Sequence, residues 1–553
     1  MLHAFHHLNR SLSLGWRGSA VRRRLNPVAL LVVALAVASG AQAQTAEPQA
    51  SGANVTFDIR GFDVQGDIPL QPAEVTAVLA PYVRKDGTLE TLQQAATALE
   101  AALKARGFGL HRVVLPPQEV GESIRLSVVK FVIGAVTVEG AGAFGDVNIR
   151  ASLPELQEGQ SPNFRSLSVQ TALANENPSK QVQVLLKESD QLEKIDARLM
   201  VKTAPAVTFA ASLANTGSAA TGADRLSLVG GHANLFGRDH QASFAYTTSI
   251  ERAERVKQLG LSYSVPLYGW GGMVAFNYTN SDVEGHFGTF NSSGAGDTYS
   301  LSYSHYLPPQ GGRKSYLTLG IEDKLFKAGK INGMVIPGQL DRGSRPASLG
   351  YSAKTESDAG DWGYGAELAL NLPGSPGNDL SAYQTEESRI DTDQWKVLRL
   401  NAHWRSTLPR GWRASVRSQM QTTNNPLISG EQMGLGGVGS VRGASERVLS
   451  GDRGLAVSAE LTTPEVAKGL RFLGFVDAGW LRSLNTGASS SGKPARDQLA
   501  SAGLGFRYTA GTLSLTADWG RIITGATAPA DGATSTQPKV GEDKLHVSLT
   551  ARF

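Results

Sequence analysis

The stretch GLGGVGSVRGASE, Gly434 to Glu446, holds the residue types most able to do chemistry in this chain. Its first six residues satisfy G-x-G-x-x-G, the spacing with which a backbone turn cradles a dinucleotide pyrophosphate. That chemistry needs a buried strand before the glycines and a helix after them. TTNNPLISGEQM precedes them and is polar and turn-rich; SVRGASERVLSGDRG follows and is broken by Gly443 and Gly451. The glycines are therefore read as loop. Arg442 remains, a permanent cation with a planar fork of donors. Ten histidines are present, three of them (His3, His6 and His7) in the first segment. The other seven are scattered, with no H-E-x-x-H and no metal-ligand spacing. His305, His403 and His546 fall on alternating segments and are read as wall residues. No compact Ser/His/Asp set emerges, and the absence of cysteine excludes disulfides, thiolate metal sites and a cysteine nucleophile. Neither enzymatic activity nor a cofactor or metal is expected.

The elements that would position these residues begin after a leader. Arg10, Arg17, Arg22, Arg23 and Arg24 precede the apolar run PVALLVVALAVA, and Ala41-Gln42-Ala43 follows. A basic region, a short apolar region and an A-x-A site read as a secretory signal peptide over 1–43. The run is too short to span a bilayer of about 30 Å. Losing the five arginines brings 53 basic residues to 48 against 49 acidic ones. The basic balance thus belongs to the leader and does not point to nucleic acid.

A short linker, 44–54, leads into mixed α and β patterning. Val75, Val78, Leu79 and Tyr82 share one helical face, as do Leu92, Ala96, Leu99 and Leu103. Thr88 suits an N-cap and Gly107 a C-terminal stop. Strand-like FDIRGFDVQG precedes these helices, and HRVVLP and SIRLSVV follow. The same order recurs about 75 residues on, from FVIGAVTVEG through KQVQVLLK to KIDARLMVKT. Two small α+β modules in tandem, 55–130 and 131–205, are the economical reading.

From 206 to 553 the helical period gives way to alternation in segments of about ten residues. In KLHVSLTARF, Leu545, Val547, Leu549, Ala551 and Phe553 are apolar, and the residues between them polar. About sixteen such segments occur, joined alternately by short turns and by long loops such as 326–345, 372–394 and 422–453. An even number of alternating strands, two classes of connection, and Tyr268, Trp270, Tyr306, Trp362, Trp404, Trp412, Trp480 and Trp519 near strand ends predict a transmembrane β-barrel, not a soluble sandwich.

Several stretches carry a family resemblance. EQMGLGGVGSVRGASE with SGDRGLAVSAEL resembles the VRGY/F loop of the TpsB transporters (FhaC/ShlB/HecB-like) of two-partner secretion, in the outer-membrane protein 85 superfamily. FVDAGW resembles that superfamily's F-x-D-x-G strand, with Phe475, Asp477 and Gly479. NENPSKQVQVLLK resembles the second POTRA domain of the family, with Asn177, Pro178, Lys180 and Gln181 at its motif positions. LPPQEVGESIRLSVV resembles the end of the first.

The resemblance implies a sixteen-stranded outer-membrane β-barrel preceded by two periplasmic POTRA domains, with loop six at 422–453 folded back into the barrel. It implies that Arg442, within Val441-Arg442-Gly443, pairs with Asp477 on the inner wall. Alternation agrees: Phe472, Val476, Ala478 and Trp480 take the lipid face, which turns Asp477 inward. Ala444 stands where the family usually carries an aromatic, so a weaker anchor is expected. Residues 44–54 are too few for a plugging helix and its linker. Phe553 is expected to act as a barrel assembly signal.

The function implied is export of a large unfolded exoprotein, caught by its N-terminal secretion domain at the POTRA modules and driven by folding outside. Expected partners are that exoprotein, outer-membrane lipid and, during biogenesis, the barrel assembly machinery. A monomer is expected, with no nucleic acid. The alternative is a BamA/TamA-type insertion factor, against which two modules are few.

Overall fold

The structure is a computed structural model that describes residues 56–553, except 120, 218–220, 284, 288–289, 293, 332–333, 490–491 and 528–536. The signal peptide and linker expected over 1–54 lie outside the described residues.

The first module follows the expected order. Pro72–Leu79 and Leu89–Ala105 are its helices, the second burying Leu92, Ala96, Leu99 and Leu103. Thr88 Oγ1 accepts from Thr91 N, and Gly107 takes φ +100° just past the helix end. Its three-stranded sheet places Ile124–Lys130 centrally, parallel to Phe62–Gly66 and antiparallel to His111–Val114. A separate small pair, Phe57–Ile59 with Arg84–Gly87, supplements it.

The second module repeats the topology. Lys194–Thr203 is central, parallel to Val132–Glu139 and antiparallel to the edge strand Lys180–Glu188. The helices Gly145–Ala151 and Phe164–Ala174 cover it. Asn163 caps the latter, its side-chain oxygen accepting from Arg165 N and Ser166 N. Ile133, Ile149, Leu153, Leu167 and Leu199 form the core.

From Val207 the chain closes into a sixteen-stranded antiparallel barrel. Each strand pairs with its neighbour in sequence, and the last, Asp543–Arg552, pairs with the first, Val207–Ala214. One wall strand is interrupted: Arg342–Ser344 and Pro346–Ser357 both pair with Arg313–Phe326. The closing seam is short, five register pairs from Ser548↔Ala214 to Arg552↔Ala210. Phe553 extends it through two backbone hydrogen bonds with Phe209, of 2.8 and 3.2 Å.

Alternation sorts the side chains. Leu261, Leu301, Leu319, Leu349, Leu368, Val476, Leu504 and Leu549 all point outward and are exposed. A continuous apolar outer surface of this kind requires lipid. Trp270, Trp362, Trp404, Trp412, Trp480 and Trp519 are exposed as a girdle requires. The other two aromatics depart from it: Tyr306 is buried, and Tyr268 packs on the core of the second module.

A loop locked inside the barrel

Loop six leaves the strand Arg413–Thr423 and returns into Arg453–Thr462. Between them it builds its own two-stranded hairpin, Met433–Leu435 against Leu449–Gly451. Gly436 and Gly437 take φ of +114° and +82°, conformations that bend the chain after the first hairpin strand. The glycines that imitate a phosphate loop therefore shape a hairpin tip.

Arg442 sits beyond that bend, its side chain 2% exposed. Nε donates to Asp477 Oδ2 at 2.8 Å and Nη2 to Oδ1 at 3.0 Å, a bidentate fork. The Arg442 backbone N–H adds a third bond to Oδ2 at 3.0 Å. Nη1 donates to Glu460 Oε2 at 3.0 Å and lies 3.5 Å from Asp518 Oδ2. The guanidinium also stacks on Phe475, 3.5 Å from the ring centroid. Three strands thus present carboxylates to one cation, and Asp477 is itself fully buried.

Gly443 explains its own identity. It takes φ +94°, and a Cβ there would lie 2.7 Å from Gly520 O. The wall reciprocates, because a Cβ on Gly520 would meet the Arg442 carbonyl carbon at 2.8 Å. Two glycines facing each other let the loop backbone touch the sheet backbone. Gly443 N donates to His546 Nε2 at 3.1 Å, which gives that wall histidine a partner in the loop. Gly479 leaves room for Leu435, whose Cδ2 would lie 2.5 Å from an added Cβ. Val441 and Ala444 are buried with Leu435, Leu449, Leu481, Leu499 and Ile522. This apolar seat encloses the tip, Ala444 included.

Two more ties hold the loop nearer its root, and sequence reasoning missed both. Glu431, 1% exposed, accepts from Lys324 Nζ at 3.1 Å, Ser344 Oγ at 2.7 Å and Arg399 Nη2 at 2.9 Å. Asp452, the acid of SGDRG, receives Arg389 at 2.6 and 3.1 Å, with both side chains fully buried. Asp452 also accepts from Leu427 N and Leu484 N, so one carboxylate joins three consecutive long loops. Lys493 reaches Gln432 Oε1 at 2.6 Å and Ser450 Oγ at 3.2 Å. Burial, reinforced by the nearby Arg389 charge, pulls the Lys493 ammonium down to about 8.

The second-module motif lies elsewhere. Asn177 Nδ2 donates to Ala233 O at 2.7 Å, at the end of the strand Arg225–Leu235. Lys180 Nζ donates to Asn148 Oδ1 at 3.1 Å and to Asp239 in the turn that follows that strand. Tyr268 Oη donates to the same carboxylate at 2.7 Å. Burial lowers the Lys180 ammonium from its usual value, against the pull of Asp239. Pro178 is half-buried and Gln181 exposed. The motif therefore fastens the second module to the barrel's first two short turns. No buried strand–glycine–helix element and no metal-holding group of His, Asp and Glu occurs among the described residues.

Residues 194–508 match the family described as haemolysin secretion/activation protein ShlB/FhaC/HecB, and 57–130 match the ShlB-type POTRA domain. The outer membrane transporter CdiB of Escherichia coli is 23% identical over 471 residues, covering 83% of this chain and 77% of its own. That of Dickeya dadantii is 24% identical over 443 residues, covering 77% and 76%. The solved CdiB structure from Escherichia coli superposes with a TM-score of 0.71 at 21% identity, over 92% of this chain and 93% of that one.

Proposed function

Because the chain belongs to the ShlB/FhaC/HecB family of outer-membrane transporters with periplasmic POTRA domains, we propose that it serves a two-partner (type Vb) secretion system, carrying one large unfolded exoprotein through its barrel. The observation that carries this reading is the lumen itself. Its occupant is a loop attached at the long-loop end and held to the wall by ionic ties. A polar lumen freed of that loop suits an extended chain. No nucleotide is needed if folding outside supplies the direction.

In this reading, 55–130 and 131–205 are two POTRA domains and 206–553 is the barrel. Val441, Arg442, Gly443, Phe475, Asp477 and Gly479 are the lock, and Asn177, Pro178, Lys180 and Gln181 a POTRA motif. Phe553 is an assembly signal at the seam. Capture of the exoprotein is supported by two edge strands, although Asn175 already bonds Val182 on one and Glu100 bonds Val113 N on the other. Lys180–Glu188 is the edge of its sheet, with Leu185 and Leu186 exposed. His111–Val114 is the edge of the other, beside a groove that includes Ala96, Thr97 and Val113. An extended peptide adds to such edges by backbone hydrogen bonding.

The test is paired proteomics on a deletion strain, comparing supernatant and cell surface with the outer membrane. Loss of one large exoprotein, little restored by an Arg442→Ala copy, is expected. A broad fall in other outer-membrane barrels would instead make this an insertion factor.

A further inference from the structure

Three arginines stand side by side on the outer surface of the barrel. Arg453 is directly opposite Arg482 in register, and Arg482 is directly opposite Arg496. They top three consecutive strands at the long-loop end, opposite the turns that meet the second module. Strands lie about 4.8 Å apart, so the row spans roughly 10 Å. Alternation puts all three on the lipid side, in line with exposed Leu455, Trp480 and Leu504. On the strand Leu470–Arg482 the outward residues run Leu470, Phe472, Gly474, Val476, Ala478 and Trp480 before Arg482. Those eleven positions climb roughly 25 Å once strand tilt is allowed for, the height of a lipid-facing band. Trp480 closes the band as an interfacial aromatic, and Arg482 is the next outward position.

Like charges directly opposite on one sheet face repel. A carboxylate among them would relieve that repulsion. Among the described residues, none of the three arginines has an ion-pair partner. The Arg453 side chain bonds to Thr423 O and Asn424 Oδ1, and Arg482 and Arg496 are exposed. A counter-charge from outside the chain would relieve them. At that height the surroundings are the headgroups of the outer leaflet.

We propose that Arg453, Arg482 and Arg496 form a binding site for the phosphate-bearing headgroup of an outer-leaflet glycolipid. Guanidinium forks suit phosphate oxygens, and three in a row accept more than one phosphate. The site stands on the outer ends of the two strands that follow loop six and on the one beside them. Lipid bound there would brace the wall on which Glu460 and Asp477 are displayed.

The test uses the full-length protein in detergent micelles and native mass spectrometry. The probes are diphosphoryl lipid A, monophosphoryl lipid A and inorganic phosphate alone. Arg482→Gln with Arg496→Gln removes the two arginines that hold nothing else in the fold. Affinity for diphosphoryl lipid A should fall about tenfold or more, since each headgroup-level cation is worth on the order of a fivefold factor at low salt. The monophosphoryl form should bind the unaltered protein more weakly. Arg482→Lys with Arg496→Lys should keep most of the binding, which separates lost charge from lost folding. Arg410→Gln with Lys468→Gln, two cations at the turn end, should change nothing. Undiminished lipid A binding by the double glutamine variant would overturn the proposal. So would inorganic phosphate competing as well as the lipid, which would make the row a free-anion site.

Discussion

Replacing Arg442 by alanine perturbs the loop-six lock at its centre. The change deletes the fork to Asp477, the bond to Glu460 and the stacking on Phe475. Removing one member of a buried ion pair costs about 3–5 kcal/mol, because its partner stays buried and uncompensated. The three contacts share one side chain, so their separate values do not add. The backbone bond from residue 442 to Asp477 survives in the variant, and Arg507 continues to hold Asp518 at 2.6 and 2.9 Å. Both facts favour the lower end, about 3 kcal/mol, or roughly a hundredfold in the equilibrium for loop release. Arg442→Lys keeps the charge and gives up the fork, for which about 1–2 kcal/mol is expected. Hydrogen exchange on the folded protein reads this directly. The amides of residues 442 and 443, bonded to Asp477 and His546, should exchange about a hundredfold faster in the alanine variant. They should exchange roughly tenfold faster in the lysine variant, with the wall strands unchanged in both. Exchange within a factor of three of the original protein in Arg442→Ala would mean that the Arg442 fork does not hold the loop. So would a larger effect of lysine than of alanine.

Three further outcomes are expected. Lys180→Met should destabilise the junction of second module and barrel by about 3–5 kcal/mol, seen as earlier proteolysis near residue 204. Adding Asp239→Asn should recover part of that loss, and no recovery would deny the pair its role. Deleting Phe553 removes two bonds from a seam of five register pairs. Less heat-modifiable folded barrel should then reach the membrane, and an unchanged amount would contradict this. Loop seven, which carries Lys493 between the strands Leu470–Arg482 and Arg496–Ala510, should dock more firmly as pH rises from about 8 to about 10.5. Folding depresses the Lys493 ammonium to about 8, so in that window the docked state has shed a proton that the undocked state still holds. The charged groups around it are Arg389, Asp452, Glu386 and Glu387. Exchange rates in loop seven, corrected for intrinsic pH dependence, should show a slope that Lys493→Met abolishes.

The barrel was legible because period-two alternation leaves a mark on every strand, and the two classes of connection give the strands their polarity. The helices of both modules were legible for the same kind of reason, their apolar residues recurring at helical spacing. Inward-facing Asp477 followed from the alternation of FVDAGW, and Glu460 and Asp518 could have been placed in the lumen by the same rule. Their convergence on Arg442 could not, since it depends on where a hairpin folds in three dimensions. Arg389 and Asp452 are 63 residues apart and lie in loops without periodicity. The helix Leu380–Glu386 in the same region is only seven residues long, too short for an amphipathic pattern, although its cap Asp379 accepts from Ala382 N. Lys180 was singled out by its motif, but its partner, Asp239, sits in a turn that offers no pattern to read. The glycine spacing at Gly434 shows the opposite failure, where a motif without its flanking strand and helix describes only a hairpin bend.

In the proposed function, loop six leaves the lumen for the exoprotein to pass. The chain has no cysteine, so thiol chemistry can be placed at will. Ser445 on the loop and Lys544 on the last strand approach to 3.3 Å through their side chains. With both changed to cysteine and joined in living cells by a short, reducible cross-linker, secretion should stop. It should resume on reduction, and each single cysteine variant should secrete normally throughout. Undiminished secretion with the tether in place would contradict the account, because the exoprotein would then pass without release of the loop.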